Sequence, residues 1–78
     1  MKLPELEIGE TASVVRVHGT DVVAKRLMEM GVVPGDSVRV VKHAPFGDPI
    51  EIRVRGYSLA LRRNEAGAIE VNTAEARA

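Results

Sequence analysis

Residues 37–61 read SVRVVKHAPFGDPIEIRVRGYSLAL, and this stretch decides the fold. Within it, residues 50–55 alternate strictly between aliphatic and charged side chains, which is the period-two pattern of a half-buried β-strand. The Gly56-Tyr57 pair that follows is typical of a tight hairpin, so a second strand is expected to return beside the first. The centre of the chain is therefore predicted to be an antiparallel sheet.

Weaker alternation predicts further strands before and after this hairpin. Val38 and Val40 point to one face of a strand that begins at Ser37, and the alternation assigns Arg39 and His43 to the other face. Valine is frequent there and near the N-terminus, and β-branched residues favour strands. Two more strands are predicted at Thr11–His18 and Ala68–Asn72.

One helix is predicted after the first strand. Gly19-Thr20-Asp21 breaks the strand pattern and supplies a capping side chain for a helix from about Val22 to Met30. Gly31 is expected to end this helix in a left-handed cap. Its apolar residues fall at helical spacing on one side, so the helix is expected to cover a core.

These elements predict a mostly β fold: a small barrel of about five strands with one short α-helix after the first strand. A flat sheet of this size would leave two exposed edges, which favours a closed or nearly closed barrel. The 78 residues suffice for one domain, which we place at residues 1–72. Residues 73–78 are small and polar, and are expected to form a frayed C-terminal tail.

Composition favours a cytoplasmic binding protein. The chain has no cysteine, which indicates a reducing compartment and excludes thiolate metal sites. No apolar run resembles a signal peptide or a membrane helix, so no direct membrane insertion is expected. Eleven basic residues balance eleven acidic ones, whereas nucleic-acid-binding proteins usually carry a basic excess.

Neither catalytic nor metal-binding chemistry is apparent. There is no glycine-rich loop of the nucleotide-binding spacing, and no serine has a histidine and an acid arranged around it. The candidate metal donors His18, His43, Asp48 and Glu51 show no ligand spacing. We therefore predict no catalytic residue, no metal site and no cofactor.

Several segments in order resemble the FeoA family. They are KRLMEMGVVPG at residues 25–35, APFGDPI at 44–50, LALRR at 59–63, and Glu65-Ala66 leading to Ile69-Glu70-Val71. The resemblance covers nearly the whole chain except the tail. It implies an SH3-like barrel and a non-enzymatic role in bacterial ferrous iron uptake. Members of this family are cytoplasmic companions of FeoB, a membrane iron permease with a GTP-hydrolysing domain, which they are expected to bind and modulate.

The first candidate contact with such a partner is the loop before the third strand, formed by Pro45, Phe46, Gly47, Asp48 and Pro49. Two prolines stiffen this loop, so little ordering entropy would be lost on binding. Phe46 is the one phenylalanine of the chain, and an aromatic ring at a loop tip can anchor a partner's pocket. The alternative is that Phe46 folds back and caps the barrel.

The second candidate surface is the helix with its following turn, where Lys25, Arg26 and Met28 border the apolar stripe. The favoured alternative is that Met28 belongs to the core or its boundary, as methionines in helices more often do. Outward-facing arginines are expected to steer an acidic partner. These arginines are Arg53, Arg55 and Arg62, and the alternation of adjacent strands places them on the same outward face as Arg39.

Two other functions use the same arginine face or a neighbouring groove. The chain could be a small nucleic-acid-binding barrel, although Phe46 and Tyr57 are its only aromatics for base stacking. It could also be a generic peptide-binding barrel, although the aromatic lining of such grooves is missing. Self-association through a strand edge is a further possibility.

Overall fold

The five strands form one antiparallel sheet with the order β4-β3-β2-β1-β5. The structure is a computed structural model that describes residues 1–73. After a 3₁₀ turn at Leu3–Glu5, the elements are β1 (Thr11–Val17), α1 (Asp21–Glu29), β2 (Ser37–His43), β3 (Ile50–Val54), β4 (Tyr57–Leu61), α2 (Arg63–Ala66) and β5 (Ile69–Asn72). The mostly β architecture, with one helix after the first strand, is confirmed. The proposed tail lies outside the described residues except for Thr73.

The inner face of the sheet forms the core. Its strand residues are aliphatic because alternate side chains of each strand point to this face. They are Ala12, Val14, Val38, Val40, Ile50, Ile52, Val54, Leu61, Ile69 and Val71, all buried. Leu27 of α1 and Leu3 and Leu6 of the N-terminal segment complete the same cluster. The helix and the N-terminal segment therefore cover the apolar face.

Two β-bulges change which side chains face inward. The register of β1 on β5 shifts at Val15, and that of β2 on β3 shifts at Val41, so both valines are partly exposed. Beyond the second bulge, His43 pairs with Ile50, which points into the core. The alternation-based assignment of His43 to the outer face is therefore wrong, because the extra residue reverses the parity of the strand end. Its Nε2 lies 3.3 Å from the Leu6 carbonyl oxygen.

The two ends of the sheet differ in how they are covered. Within residues 1–73, β4 and β5 do not pair with each other, so the sheet does not close through a strand ladder. The N-terminus runs along β5, where the Val71 N–H donates to the Met1 carbonyl at 2.8 Å and Lys2 bridges to Glu70. The edge of β5 is thus occupied, whereas β4 ends the sheet on the other side.

Helix α1 is capped at both ends. The Thr20 hydroxyl accepts from the Val23 N–H at 3.2 Å, and Gly31 has a φ of +97° in the predicted left-handed cap. The Val32 N–H donates to the Leu27 carbonyl, and the Gly31 N–H donates to the Met28 carbonyl. This pair of bonds is the Schellman motif. Val32 and Leu27 are both fully buried, so the cap fixes the helix end against the core.

The β3–β4 hairpin is joined to this helix end. Its turn is Arg55-Gly56, one residue earlier than predicted, and both residues have positive φ, as a two-residue primed turn requires. Tyr57 therefore begins β4, and its hydroxyl donates to the Met30 carbonyl. This bond connects the last strand of the sheet to the end of α1.

Replacing Gly31 with alanine should destabilise the fold more than replacing Gly35, although their φ angles are +97° and +96°. A left-handed backbone costs alanine about 1–2 kcal/mol at either position. At Gly31 the added Cβ would also collide with the Tyr57 hydroxyl and disturb its bond to Met30, which adds about 1 kcal/mol. At Gly35 an added Cβ would have no atom within 4 Å apart from those of the adjoining residues. Chemical denaturation of both variants measures the difference, and equal losses would contradict the connection between β4 and α1.

Candidate functional site

The loop at residues 44–49 is held closed by its own backbone. The Ala44 N–H donates to the Pro49 carbonyl at 3.1 Å, and the Gly47 N–H donates to the Ala44 carbonyl at 2.7 Å. Gly47 has a φ of +79°, a conformation that glycine adopts without steric cost. The Asp48–Pro49 peptide bond is cis. The loop is therefore a defined turn at the end of the β2–β3 hairpin.

The carboxylate of Asp48 ties this loop to α2. Its Oδ1 accepts from the Arg63 N–H at 2.9 Å, so Asp48 satisfies one of the free amides at the start of α2. Glu65 accepts from the Arg62 N–H at 3.0 Å and satisfies another. The other oxygen of Glu65 lies 3.6 Å from a guanidinium nitrogen of Arg26 on α1. The loop, α2 and α1 are thus connected through side chains.

Phe46 projects from this loop into solvent. It is 98% exposed, more than any other large hydrophobic residue among residues 1–73. The alternative in which Phe46 folds back to cap the barrel does not describe the structure. Its neighbours Pro45, Asp48 and Pro49 are also exposed, while Gly47 is half-buried. The tethered turn therefore presents one aromatic ring without covering it.

The helix surface provides a smaller apolar contact. Met28 is 44% exposed, and Lys25 is exposed without an ion partner among the described residues. Arg26 is exposed as well, but its charge is compensated by Glu65, which is nearly buried. Of the three predicted helix residues, Arg26 thus also has a structural role.

The structure separates the four outward arginines that the sequence placed on one face. The strand register sets Arg39 directly opposite Arg53, and within residues 1–73 neither has an ion partner. Arg55 lies in the hairpin turn, where its Nε donates to Asp36 at 2.9 Å. Arg62 lines a shallow depression beyond the end of β4, together with Asp48, Pro49 and Ala60.

Neither aromatic residue, Phe46 or Tyr57, lies on the sheet face that carries Arg39 and Arg53. Tyr57 lies opposite Val54 in the β3–β4 ladder, so its side chain is on the same, inner face of the sheet as the buried Val54. Arg53 belongs to the opposite face, and Phe46 lies in the loop between β2 and β3. The Arg39–Arg53 pair therefore has no aromatic side chain on its face of the β3–β4 ladder, whereas base stacking uses interleaved arginines and aromatic rings.

The candidate metal donors are dispersed. Within residues 1–73, no three histidine, aspartate or glutamate side chains come close enough to hold a metal ion. His18 is engaged by Glu70, with Nε2 and Oε1 2.8 Å apart, and the nitrogen donates because a carboxylate only accepts. This bond lowers the pKa of Glu70 below its ordinary value of 4.5.

Comparison with protein families gives a match over residues 1–73 to the model of the FeoA domain. This chain belongs to the FeoA family. A solution structure of an FeoA protein from Chlorobium tepidum is 45% identical, with a TM-score of 0.87 over 94% of this chain and 70% of that one. Stenotrophomonas maltophilia FeoA, solved with zinc and described as a procaryotic SH3 domain protein, is 38% identical, with a TM-score of 0.82 over 95% of this chain and 92% of that one. The SH3-like fold is thereby confirmed.

A curated relative places the same domain in a larger protein. The Fe(2+) transport protein A/Fe(2+) transporter FeoB fusion protein of Porphyromonas gingivalis is 46% identical over 71 residues. The aligned segment covers 91% of this FeoA chain but only 8% of the fusion protein. In the FeoA chain itself, residues 1–73 contain no helix that is both long and apolar enough to cross a membrane.

Sequence reasoning missed the side chains that hold the site together. Arg63 and Glu65 were noted as parts of family segments, and Tyr57 as a hairpin residue. A local signal was available for Glu65, because an acid three residues after the residue that precedes a helix is typical of a capped helix start. For Asp48 and Arg63, 15 residues apart, no local pattern could have indicated the contact.

Replacing Asp48 with alanine should lower the free energy of unfolding by about 1 kcal/mol, because the Arg63 amide at the start of α2 loses its acceptor. Asp48→Asn is the matched control, since its amide oxygen can still accept. Hydrogen exchange of the Arg63 amide and thermal denaturation measure the effect. If alanine and asparagine behave alike, the carboxylate does not tie the loop to α2.

The His18–Glu70 pair should make stability depend on pH in the acidic range. Because the folded pKa of Glu70 is lowered, its contribution is present above the unfolded value near 4.5 and is lost as pH falls through the folded pKa. Glu70→Gln should therefore be less stable than the parent chain near neutral pH, with the difference shrinking below about pH 4.5. The exposed Glu7→Gln variant is the control. A Glu70→Gln difference independent of pH, measured by urea denaturation, would refute this role.

Proposed function

We propose that this FeoA domain is a non-enzymatic accessory module of bacterial ferrous iron uptake that binds and modulates a FeoB-like permease on its cytoplasmic side. The P. gingivalis fusion protein carries this proposal, because a segment 46% identical to this chain is joined there to an Fe(2+) transporter. Fusion holds two modules at high effective concentration, so it favours an association that separate chains make by binding.

The loop at residues 44–49 is the proposed primary contact. An exposed ring on a pre-formed turn loses little conformational entropy when it enters a pocket, and buried aromatic anchors dominate many interfaces. Phe46 is 98% exposed, while Asp48 holds the base of the loop on α2. A partner pocket would therefore receive Phe46, with Pro45, Gly47 and Pro49 around it.

Charged residues of the β3–β4 hairpin and of the segment after β4 would orient the partner. Arg53 and Arg62 have no ion partner among the described residues, so their charges remain available to an acidic surface. Arg55 is paired with Asp36 and would contribute less to steering. On α1, which connects to α2 through Arg26 and Glu65, exposed Lys25 and Met28 would extend the contact.

Phe46→Ala should weaken binding to the cytoplasmic part of the cognate permease by about 30-fold, the effect of truncating an anchor worth ~2 kcal/mol. Calorimetric titration with and without guanine nucleotide measures the affinity. Val15→Ala is the matched control, because Val15 is 38% exposed but lies on β1, outside the proposed surface. Both variants should unfold at the same temperature as the parent chain, since neither side chain is buried.

Two results would contradict the proposal at different levels. Unchanged affinity of the Phe46→Ala variant would remove the loop from the interface while leaving the association intact. Failure of the parent chain to bind the complete permease in any nucleotide state would reject the association itself.

A further inference from the structure

The outer edge of β4 has unpaired backbone groups. The two-residue turn makes Val54 and Tyr57 a hydrogen-bonded pair, so the bonded pairs alternate along the β3–β4 ladder. The N–H and C=O groups of Ser58 and Ala60 therefore point away from β3. Within residues 1–73, no other segment bonds to them, whereas the N-terminus covers the opposite edge of the sheet on β5.

This edge lacks most of the features that protect strand edges in other proteins. Protected edges commonly carry lysine or proline, or are twisted away by a bulge. Residues 57–61 read Tyr-Ser-Leu-Ala-Leu, without charge or proline, and they pair with β3 in an unbroken register. The edge of β4 is therefore able to accept a further strand.

The outer face beside the edge carries more basic than acidic side chains: Arg39, Lys42 and Arg53 are basic, while Glu51 lies opposite Ala60. Ser58 lies opposite Arg53, which lies opposite Arg39, and like charges facing each other across a ladder are unfavourable without an anion. Arg62 follows the strand and lines the depression beside Ala60. Because Ser58 is small, an acidic side chain on an added strand could extend over it toward Arg53, and one beyond the end of β4 could reach Arg62. A side chain beside Ala60 would instead meet Glu51.

A second copy of this chain fits the edge poorly. Antiparallel pairing of two β4 strands about Leu59 would bring Arg62 and Arg63 of one copy beside Gly56 and Arg55 of the other. Parallel pairing of the two identical edges would need a shift of one residue, because Ser58 and Ala60 carry the outward groups in both copies, and that shift can set Arg62 of one copy against Arg63 of the other. Arg62 and Arg63 bring positive charge to both arrangements, and Asp36 compensates only Arg55, so the charge pattern favours an acidic strand over self-pairing.

We propose that β4 binds, by antiparallel or parallel strand addition, an extended peptide segment with carboxylates beside Ser58 and Arg62. The backbone of that segment would bond to Ser58 and Ala60, and its carboxylates would face Arg53 and Arg62. This rests on the proposed function, since it names the kind of segment through which a protein partner engages this domain. Backbone bonds supply affinity in such complexes, and the alternate side chains supply specificity.

Titration of the isotope-labelled full chain with an acetylated, amidated Val-Glu-Val-Glu-Val-Glu-Val peptide tests the proposal by NMR. We expect saturable shifts centred on the Ser58 and Ala60 amides, together with slower exchange of both amide hydrogens. Binding should weaken with added salt, because the arginines are exposed. A peptide with lysine in place of glutamate should not bind.

Ala60→Pro should weaken binding at least about tenfold, since proline removes an outward donor without removing a bond to β3. Ser58→Thr keeps its donor and should bind like the parent chain. If Ala60→Pro fails to fold, a peptide N-methylated at the amide facing β4 provides the equivalent test. Arg53→Gln should weaken binding several-fold and reduce its salt dependence.

Four results would overturn the proposal: absence of shifts up to millimolar peptide, equal binding of the lysine peptide, unchanged affinity of both backbone-blocked forms, or dimerisation of the free chain through β4. Any of them would leave the association with the permease standing, because that association is measured with a different ligand. Conversely, peptide binding with no binding to the permease would reject the proposed partner while retaining the strand-addition site.

Discussion

The structure depends on keeping one face of a five-stranded sheet away from water. Burying an aliphatic side chain contributes roughly 1.5–3 kcal/mol, and a chain of 78 residues has few such side chains. The sheet alone cannot cover its inner face, because β4 and β5 do not join in the described part of the chain. Helix α1 and the N-terminal segment cover it with Leu27, Leu3 and Leu6. Their attachment to the sheet is therefore as important as strand pairing.

The same constraint explains which parts of the surface remain available. The segments that cover the core are held by directed bonds: Tyr57 to the end of α1, the N-terminus along β5, and Glu65 between α2 and α1. The β2–β3 loop and the edge of β4 do not cover the core. Exposure of the Phe46 ring contributes nothing to the hydrophobic core, yet Asp48 fixes the loop that carries it. An ordered loop with an exposed aromatic ring is suited to docking rather than to folding.

The sequence predicted the local elements well because their signals are local. Alternation identified β3 and β4, and Gly31 indicated the end of α1 with its left-handed cap. The bulge at Val41 had no such signal, because whether a strand contains an extra residue depends on the strand it pairs with. The prediction that His43 lies on the outer face of β2 was consequently wrong.

The candidate site was predictable as a set of residues but not as a geometry. The two prolines indicated a stiff loop, yet two positions for Phe46 fitted the sequence equally, and the structure has the exposed one. The pairing of Arg55 with Asp36 joins residues 19 apart in sequence, and the alternation of charges could not anticipate it. The open edge of β4 likewise follows from sheet topology, which no single segment specifies.

From this structure we expect the FeoA domain to dock through the β2–β3 loop and the neighbouring β4 edge. The most direct test is the hydrogen-exchange footprint of the full chain on the complete permease, resolved to single amides. Docking in this way should protect amides in residues 44–49 and at Ser58 and Ala60, with little change along β1 and β5. Protection confined to α1 or to the N-terminal segment, with residues 44–60 unchanged at saturation, would contradict it.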